Sequence, residues 1–338
     1  MCCSIAMSAA PDPAAASRAH AFWTVGKGRG EVRAEALPEP AADEVRVAAL
    51  WSGISRGTEA LVFLGRVPDS ERARMRCPFQ AGDFPYPVKY GYAAVGRVEA
   101  GPSGLAGRLV FCLHPHQDRF VVPAVAVLPL PDGLPPRRAV LAANMETAVN
   151  ALWDTPVLPG QHIAVVGAGV VGALVARLAA YVPGTVVTLV DRDPGKAALA
   201  AALGIRFAGP DAAPADQDAV FEATGAPDGL VSALELAGEE ASVTVLSWFG
   251  SSPVVLPLGG AFHSRRLTIR SSQVGQVAPA QRRRWNHRRR LELALELLRD
   301  PAYDRLISGE SHFADLPQTM QQLSTNRDGT LCHAVRYP

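Results

Sequence analysis

The chain has 338 residues, of which 48% are hydrophobic and 19% charged, and its net charge at pH 7 is +1. This composition is typical of a soluble globular protein that is long enough for two domains. The small net charge argues against nucleic acid or an anionic membrane as a partner. No apolar run approaches the ~18 residues that a membrane span needs. Five cysteines without C-x-x-C or disulfide-framework spacing indicate a reducing cytoplasm.

The chain begins with residues 1–18, which are rich in Ala, Ser and Pro and lack the features of a signal peptide. We therefore expect a disordered extension there. Residues 21–128 then show short strand-like runs between Gly and Pro, such as 44–50 and 93–98, which predicts an all-β region. A helical pattern over 139–153 indicates a helix that bridges to a second domain.

The most informative stretch is residues 163–172, where an apolar run turns through glycines into a helical pattern. Gly167, Gly169 and Gly172 fit G-x-G-x-x-G. The first glycine permits a tight turn, the second lets the backbone approach a pyrophosphate, and the third lets helix and strand pack closely. The N–H groups of the first helical turn, which includes Val171, would then face the phosphates.

A second apolar strand, residues 186–190, ends in Asp191, 19 residues after Gly172. A carboxylate at this place binds the adenosine ribose and repels a 2′-phosphate, so NAD is favoured over NADP. The adjacent Arg192 could soften that preference, which keeps NADP as an alternative. A glycine turn without a ligand is the competing interpretation, but strand, turn, helix, strand and acid together form a complete βαβ unit.

Strands and helices continue to alternate after Asp191, which predicts an α/β domain with a doubly wound parallel sheet. The Thr224-Gly225 turn follows one of these strands and is a further expected cofactor contact. A helix near 288–298, a second near 316–323 and a closing strand make up the tail. We expect this tail to return to the first domain.

The order of elements resembles the medium-chain dehydrogenase/reductase superfamily over nearly all of residues 20–338. Matching segments are 45–59, 87–99, 147–152, 157–172 and 221–225. The phrase Ser-Gly-Ile-Ser-Arg-Gly-Thr-Glu over 52–59 is similar to a narrower branch that includes hydroxyethyl-bacteriochlorophyllide dehydrogenases.

The resemblance implies a GroES-like catalytic domain over 19–149 and 276–338, and a Rossmann dinucleotide-binding domain over 150–275. It also implies that Thr147 lies beside the nicotinamide. A homodimer is expected through the edge strand near 266–275.

Zinc-binding members of this superfamily hold a catalytic metal with a Cys, a His-Glu pair and a second Cys or Asp. In this chain the three places fall on Ser55 (or Arg56), Tyr92 and Ala143. A hydroxyl, a phenol and a methyl group do not make a zinc site. The four-cysteine structural lobe is missing as well, since residues 99–113 carry only Cys112. The sequence therefore predicts a zinc-free member.

Hydride transfer without zinc needs another proton donor or oxyanion stabiliser. Tyr92 is the first candidate, because a phenol can act as a general acid if a nearby cation stabilises the phenolate. Lys89 is close in sequence, although strand alternation points it to the opposite face. His114, which could relay protons near neutrality, is the second candidate. The competing interpretations are a packed tyrosine and a histidine in a polar surface turn.

Several other residues allow two interpretations. His114 and His116 could form a metal pair, but nothing else in the sequence completes such a site. Glu59 and Glu146 are each a candidate general base or a structural partner of Arg56, and we favour structure for Glu59 and cleft lining for Glu146. Ser55 also lines the expected cleft.

Residues 282–290 place six arginines around Trp285. This run is either a solvated helix face or a clamp for an anionic substrate.

Together these patterns predict a zinc-independent, NAD(P)-dependent oxidoreductase that interconverts a secondary alcohol and a ketone. Its substrate is expected to be a small or medium organic molecule. Reduction of an activated C=C bond, as in quinone or enoyl reductases, is the first alternative. The second is a dinucleotide-binding sensor without catalysis.

Overall fold

The computed structural model describes residues 18–325 and 329–338. The extension predicted over 1–18 lies outside this part of the chain, except for Arg18, which begins the first strand. The strands in chain order are β1 (Arg18–Gly26), β2 (Arg29–Ala36), β3 (Glu44–Ile54), β4 (Ala81–Gly82), β5 (Val88–Lys89), β6 (Ala94–Ala100), β7 (Leu109–Cys112), β8 (Arg119–Pro123), β9 (Val127–Pro129), β10 (His162–Val166), β11 (Val186–Val190), β12 (Arg206–Ala208), β13 (Gln217–Glu222), β14 (Ala237–Val245), β15 (Thr268–Ser271), β16 (Ile307–His312) and β17 (Cys332–Arg336).

The α-helices connect these strands and cover the parallel sheet. In chain order they are α1 (Arg56–Phe63), α2 (Pro136–Ala139), α3 (Ala142–Asp154), α4 (Val170–Ala180), α5 (Ala197–Ala202), α6 (Pro227–Leu236), α7 (His287–Leu297) and α8 (Leu316–Thr325). In the part of the chain that the structure describes, no helix has the length and apolar character to cross a membrane.

The first region of the chain forms the β-rich part of the molecule, although the predicted all-β pattern over 21–128 is interrupted by helix α1. One sheet has the order β2-β1-β5-β4, and a larger one has the order β16-β17-β3-β6-β7-β9, with β8 also paired to β3. Along β3 the buried residues Val45, Val47 and Ala49 alternate with more accessible ones, which is the period-two pattern of a strand with one face in a core. The closing strand β17 pairs with β3, so the tail joins this sheet.

A third sheet is parallel throughout and has the order β12-β11-β10-β13-β14-β15. Its central strands are almost completely buried apolar runs, as expected when helices cover both faces of a sheet. The strand order reverses between β10 and β13. Ligands of such sheets bind at this switch point, beyond the carboxyl ends of the strands.

A bridging helix joins the two regions, although it is broken where the sequence pattern was continuous. Residues 139–153 were predicted as one helix, and the structure has α2 followed by α3 instead. Helix α3 packs against α4 and α7. Its buried Met145 and Ala148 share one apolar core with Leu174 of α4 and Leu291 of α7. Burial of each such large side chain contributes about 1.5–3 kcal/mol, which holds the bridge in place.

The loop after β14 reaches across to the β-rich part. Trp248 packs against a cluster that includes Val62 and Val67, and Tyr92 packs against the same cluster. A Cβ added at Gly250 would lie 2.8 Å from the backbone oxygen of Arg66. The carboxyl ends of the parallel strands and the turn at Tyr92 therefore border the same cleft.

The arginine run over 282–290 does not form the solvated helix face that is one of the two interpretations of its sequence. Residues 282–284 lie in a turn, and α7 begins only at His287, capped by the Asn286 side chain. Arg289 lies over the Trp285 ring at 4.0 Å from its centroid. Arg290, at the end of the run, is buried. The run is thus divided between a surface turn and a core residue.

Candidate active site

The glycine turn between β10 and α4 has the geometry that its spacing predicts. Gly167 has a φ of +107°, and a Cβ there would lie 2.8 Å from the backbone of Ala223. A Cβ at Gly172 would overlap the carbonyl oxygen of Gly167. Both positions require glycine because backbone meets backbone at close range. They hold the strand, the turn and the helix together.

Gly169 has a different reason to lack a side chain. Leaving out its own chain neighbours, no atom of the described residues lies within 4 Å of where its Cβ would be. It is the N-cap of α4, and Val171 lies in the first turn that follows. The N–H groups at this helix start are therefore next to open space, which suits the oxygens of a pyrophosphate.

Asp191 lies at the rim of the same turn. Its Oδ2 accepts a hydrogen bond from the N–H of Ala168 at 2.7 Å, and its Oδ1 accepts one from the N–H of Asp193 at 2.9 Å. Arg192 is exposed. The carboxylate is thus fixed beside the glycine turn, where it could accept hydrogen bonds from ribose hydroxyls.

The Thr224-Gly225 turn forms the next edge of the crevice. Glu222 Oε1 accepts hydrogen bonds from Thr224 N–H (2.7 Å), Thr224 Oγ1 (2.6 Å) and Ser247 Oγ (3.0 Å). Gly225 N–H donates to Ser247 Oγ at 2.8 Å. Glu222 is not among the site residues that the sequence predicts. The signal that could have identified it is its position at the end of an apolar strand.

Glu222 also has an unsatisfied oxygen. Within residues 18–325 and 329–338, its buried Oε2 has no hydrogen-bond partner. Burial raises the pKa of this carboxyl, and the bonds from Thr224 and Ser247 act in the opposite direction. A buried orphan acceptor at a sheet crevice is a place for a donor from a ligand or a water. The turn, the acid and this acceptor together fit a dinucleotide.

Ser55 and Tyr92, at two of the places where the sequence resemblance expects metal ligands, lie close together. The side chains of Ser55 and Thr58 are near enough to the Tyr92 hydroxyl to lower its pKa. The Asn144 amide donates to Ser55 Oγ at 3.3 Å. Ser55 caps the start of α1, directly after β3. Strand β3, helix α1 and the Tyr92 turn therefore place two hydroxyls side by side.

The donor set at these positions does not fit zinc. Hydroxyl, phenol and the methyl group of Ala143 replace the thiolate, imidazole or carboxylate that the metal prefers. In the described part of the chain, no group of three or more His, Cys, Asp or Glu residues is arranged to hold a metal ion. His114 and His116 do not form such a group either, and each has other partners.

Tyr92 is held as a neutral phenol. Burial raises its pKa above the ordinary range, and the nearby carboxylate of Glu59 raises it further. Hydrogen bonds from Ser55 and Thr58 oppose this shift. A protonated phenol in a cleft can donate a proton or a hydrogen bond to a substrate oxygen.

Lys89 has partners other than Tyr92, and strand β5 ends at Lys89, so strand alternation does not extend to Tyr92. Its Nζ donates to Glu35 Oε2 at 2.7 Å and to Gln117 Oε1 at 2.9 Å, and it lies 5.9 Å from the centroid of the Trp23 ring. The structure therefore does not bring the Tyr–Lys couple together.

His114 is a buried packing residue in this structure. Its ring stacks on Phe120 with centroids 3.9 Å apart, and its Nδ1 donates to the Pro115 carbonyl at 2.9 Å. Burial lowers the pKa of His114 to about 3. The prediction of a polar surface turn at His114 is wrong, because the buried ring faces an aromatic layer instead of solvent.

Glu146 and Thr147 lie on α3 with partners of their own. Glu146 Oε1 accepts from Arg290 Nε at 3.0 Å, and both side chains are buried. Arg290 also donates to Asn150 Oδ1 and to the Val274 carbonyl, each at 2.5 Å. Thr147 Oγ1 donates to the Ala143 carbonyl at 3.0 Å. Glu146 thus anchors α7 to α3, which the sequence could not show.

Glu59 and His116 form a second group that the sequence did not bring together. Glu59 Oε1 accepts from the N–H of Ser55 at 2.7 Å, and its Oε2 accepts from His116 Nε2 at 2.8 Å. The two side chains are only 3% and 1% exposed. Their pairing joins the start of α1 to the loop after β7.

A parallel sheet with a glycine turn, an acid at the rim of that turn and an adjoining β-rich part are typical of dinucleotide-binding proteins. No family model matches the chain. It is 31% identical over 248 residues to a 2-desacetyl-2-hydroxyethyl bacteriochlorophyllide A dehydrogenase from Rhodobacter capsulatus, covering 67% of this chain and 72% of the relative. The chain belongs to the medium-chain dehydrogenase/reductase superfamily, with GroES-like and Rossmann parts.

Two further similarities concern a short segment of the sequence and the fold alone. A shorter match, 39% identical over 83 residues, is to an uncharacterised zinc-type alcohol dehydrogenase-like protein from Haemophilus influenzae, and it covers 25% of this chain and 24% of that protein. An Escherichia coli alcohol dehydrogenase in complex with NADH has a similar fold, with a TM-score of 0.76 and 16% identity. That similarity covers 95% of this chain and 99% of the other.

Proposed function

We propose that this protein is a zinc-independent, NAD(P)-dependent oxidoreductase that interconverts a secondary alcohol and a ketone. The observation that carries the proposal is the pairing of a dinucleotide crevice with a hydroxyl cluster at Ser55 and Tyr92. The crevice supports a cofactor, and the cluster supplies a proton donor where zinc-binding relatives have a metal. The Rhodobacter relative is named as a dehydrogenase of a hydroxyethyl compound, which is consistent with this chemistry.

The chain's own residues divide the work between holding the cofactor and handling the proton. Gly169 and the start of α4 would hold the pyrophosphate, and Asp191 the adenosine ribose, with NAD favoured over NADP. When bound, the nicotinamide supplies or accepts the hydride. Tyr92 donates its hydroxyl proton to the carbonyl oxygen during reduction, and Ser55 orients that oxygen by a hydrogen bond. Solvent returns the proton to Tyr92 afterwards.

Zinc independence rests on the chemistry of the donors. A metal would polarise the carbonyl oxygen or acidify the alcohol. The Tyr92 phenol takes over this task as a general acid, a role that contributes about 10²–10⁴-fold in other enzymes. We also propose that the substrate is a small or medium organic molecule. The exposed arginines of residues 282–289 make an anionic group on that substrate a reasonable first choice for screening.

The test is a turnover assay with metal analysis on the same preparation. The protein is dialysed against a chelator and then incubated with NAD or NADP and a panel of secondary alcohols, ketones and enones. Cofactor-dependent turnover of alcohols and ketones with far less than one zinc per chain supports the proposal. One zinc per chain before dialysis, with activity lost when the chelator removes that zinc, overturns zinc independence. Turnover of enones alone would favour the C=C reductase, and cofactor binding without turnover would favour the sensor.

A further inference from the structure

A buried chain of four polar groups lies beneath the Tyr92 turn. Beyond the Glu59–His116 pair, His116 Nδ1 is 2.7 Å from Ser52 Oγ, and Ser52 Oγ is 3.0 Å from the Tyr337 hydroxyl. Ser52 and Tyr337 are buried as well. Both ring nitrogens of His116 and both oxygens of Glu59 are therefore engaged, which is the condition for keeping charged groups in a low-dielectric interior.

The donor and acceptor roles of the four groups indicate where their protons lie. A carboxylate only accepts, so His116 Nε2–H donates to Glu59. In the neutral ring, Nδ1 then accepts from the Ser52 hydroxyl, which in turn accepts from Tyr337. This arrangement leaves one negative charge on Glu59 and clamps it by an imidazole that cannot turn away.

The Glu59–His116 pair packs directly against Gly91, the residue before Tyr92. Gly91 has a φ of +138°, and a Cβ there would lie 3.0 Å from His116 Cδ2 and 3.2 Å from His116 Nε2. A larger residue at Gly91 would push the imidazole off its place. The turn that presents Tyr92 and the ring that holds Glu59 are therefore in mutual contact.

The other titratable groups that face Tyr92 are uncharged near neutrality. Burial raises the pKa of the Cys77 thiol to about 12 and that of the Tyr90 phenol well above its ordinary range. Tyr90 meets Tyr92 edge to face with ring centroids 5.9 Å apart. Trp248 packs against the same apolar cluster as Tyr92. Glu59 reaches this place through Ser55, whose N–H donates to Glu59 Oε1 at 2.7 Å and whose side chain lies near the Tyr92 hydroxyl.

We propose that Glu59 and His116 are positioning residues that set the charge beside Tyr92. The Glu59 carboxylate opposes formation of the phenolate and so keeps Tyr92 ready to donate its proton, while His116 clamps the carboxylate in place. This role in turnover rests on the proposed function. The ionisation of Tyr92 itself does not, because it can be observed without any substrate.

The experiment places 3-fluorotyrosine at position 92 of the full-length protein and follows its ¹⁹F resonance against pH. Fluorine makes the phenol more acidic, which lowers the pH at which the ring titrates. In Glu59→Gln the midpoint should fall by about one pH unit, since a neighbouring negative charge has been removed. In Glu59→Asp, which keeps the charge, it should stay close to the wild-type value.

His116→Gln tests the clamp itself. It removes the imidazole that holds Glu59 but leaves the carboxylate charged, so the midpoint should fall by less than in Glu59→Gln. An unchanged midpoint in Glu59→Gln, or an equal fall in His116→Gln, would overturn the proposal. If the midpoints behave as expected but no alcohol or ketone is turned over, the charge-setting pair stands and the proposed function fails.

Turnover adds a second readout where the enzyme is active. Reduction should decline at high pH as Tyr92 loses its proton, and in Glu59→Gln this decline should begin at lower pH than in wild type. The shift should appear in kcat with KM little changed, because the pair does not touch the substrate. A Glu59→Gln profile with the wild-type alkaline limb contradicts the proposal.

Discussion

The Asp191 carboxylate accepts a hydrogen bond from the N–H of Ala168 at 2.7 Å, so the acid at the end of β11 is tied to the glycine turn after β10. This bond places a negative charge at the rim of the cofactor crevice. It links two features that the sequence separates by more than twenty residues. The same charge should decide which nicotinamide cofactor binds better.

Asp191→Asn should weaken the preference for NADH over NADPH about tenfold, equivalent to ~1.4 kcal/mol, because the amide does not repel a 2′-phosphate. The ratio of the two dissociation constants, measured by fluorescence titration, checks this. Asp193→Asn is the matched control, since Asp193 carries the same charge nearby but caps a short turn through the Gly195 N–H. Equal changes in both variants would remove Asp191 from its role.

Gly169 and Gly172 of the turn should respond differently to added side chains. Gly169→Val should keep its thermal stability and weaken cofactor binding at least tenfold, because the side chain would fill the open space that suits the pyrophosphate. Gly172→Ala should lose about 1–3 kcal/mol of stability, because its Cβ overlaps a backbone oxygen. Gly209→Ala, at an ordinary φ of −71° with no described atom within 4 Å, is the control and should change neither. Unimpaired cofactor binding by Gly169→Val would contradict this account.

Tyr92→Phe should lower kcat by about 10²–10⁴ while cofactor affinity is retained, because the ring stays and only the proton donor is lost. Steady-state kinetics together with cofactor titration test this. Tyr90→Phe, in the same aromatic cluster, should remain close to wild type. Near-normal activity of Tyr92→Phe would exclude it as the donor.

His114 should make the protein sensitive to mild acid. Its pKa is lowered to about 3 in the folded protein and is 6.5 in the ordinary state, so folding excludes a proton that the unfolded chain binds. A lowered histidine pKa contributes stability that is present above about pH 6.5 and is lost as pH falls toward 3.

His114→Phe keeps the stacked ring but cannot titrate. Between pH 7 and pH 5, the wild type should lose about 2 kcal/mol of stability relative to this variant. Urea unfolding at both pH values measures the difference. A constant difference between the two proteins across this range would show that the ring is not buried in its neutral form.

The Glu146–Arg290 pair should be far more sensitive to loss of the arginine than to loss of the carboxylate charge. Arg290→Leu leaves a buried carboxylate without its partner and should cost about 3–5 kcal/mol at pH 7. Glu146→Gln keeps an acceptor for the guanidinium and should cost less. Because burial already raises the pKa of Glu146, the Arg290→Leu defect should shrink as pH falls and the acid becomes protonated. Denaturant unfolding at pH 7 and pH 5 measures the loss of unfolding free energy in each variant. Equal losses in the two variants would argue against a buried charge.

The sequence by itself determined the features that local pattern encodes. The Gly167–Gly172 turn, Asp191 and the alternating strands and helices predicted the parallel sheet and its cofactor crevice, because backbone conformation and burial have short periods along the chain. The residue types at Ser55, Tyr92 and Ala143 likewise predicted a donor set that does not suit zinc.

Only the tertiary structure decided which polar side chains meet. Glu59 and His116 are 57 positions apart, and Glu146 and Arg290 are 144 positions apart. Their pairing follows from how sheets and helices pack, which leaves no periodic trace near either residue. For the same reason His114, which resembled a proton relay in sequence, lies against Phe120, while its neighbour His116 holds the carboxylate beside Tyr92.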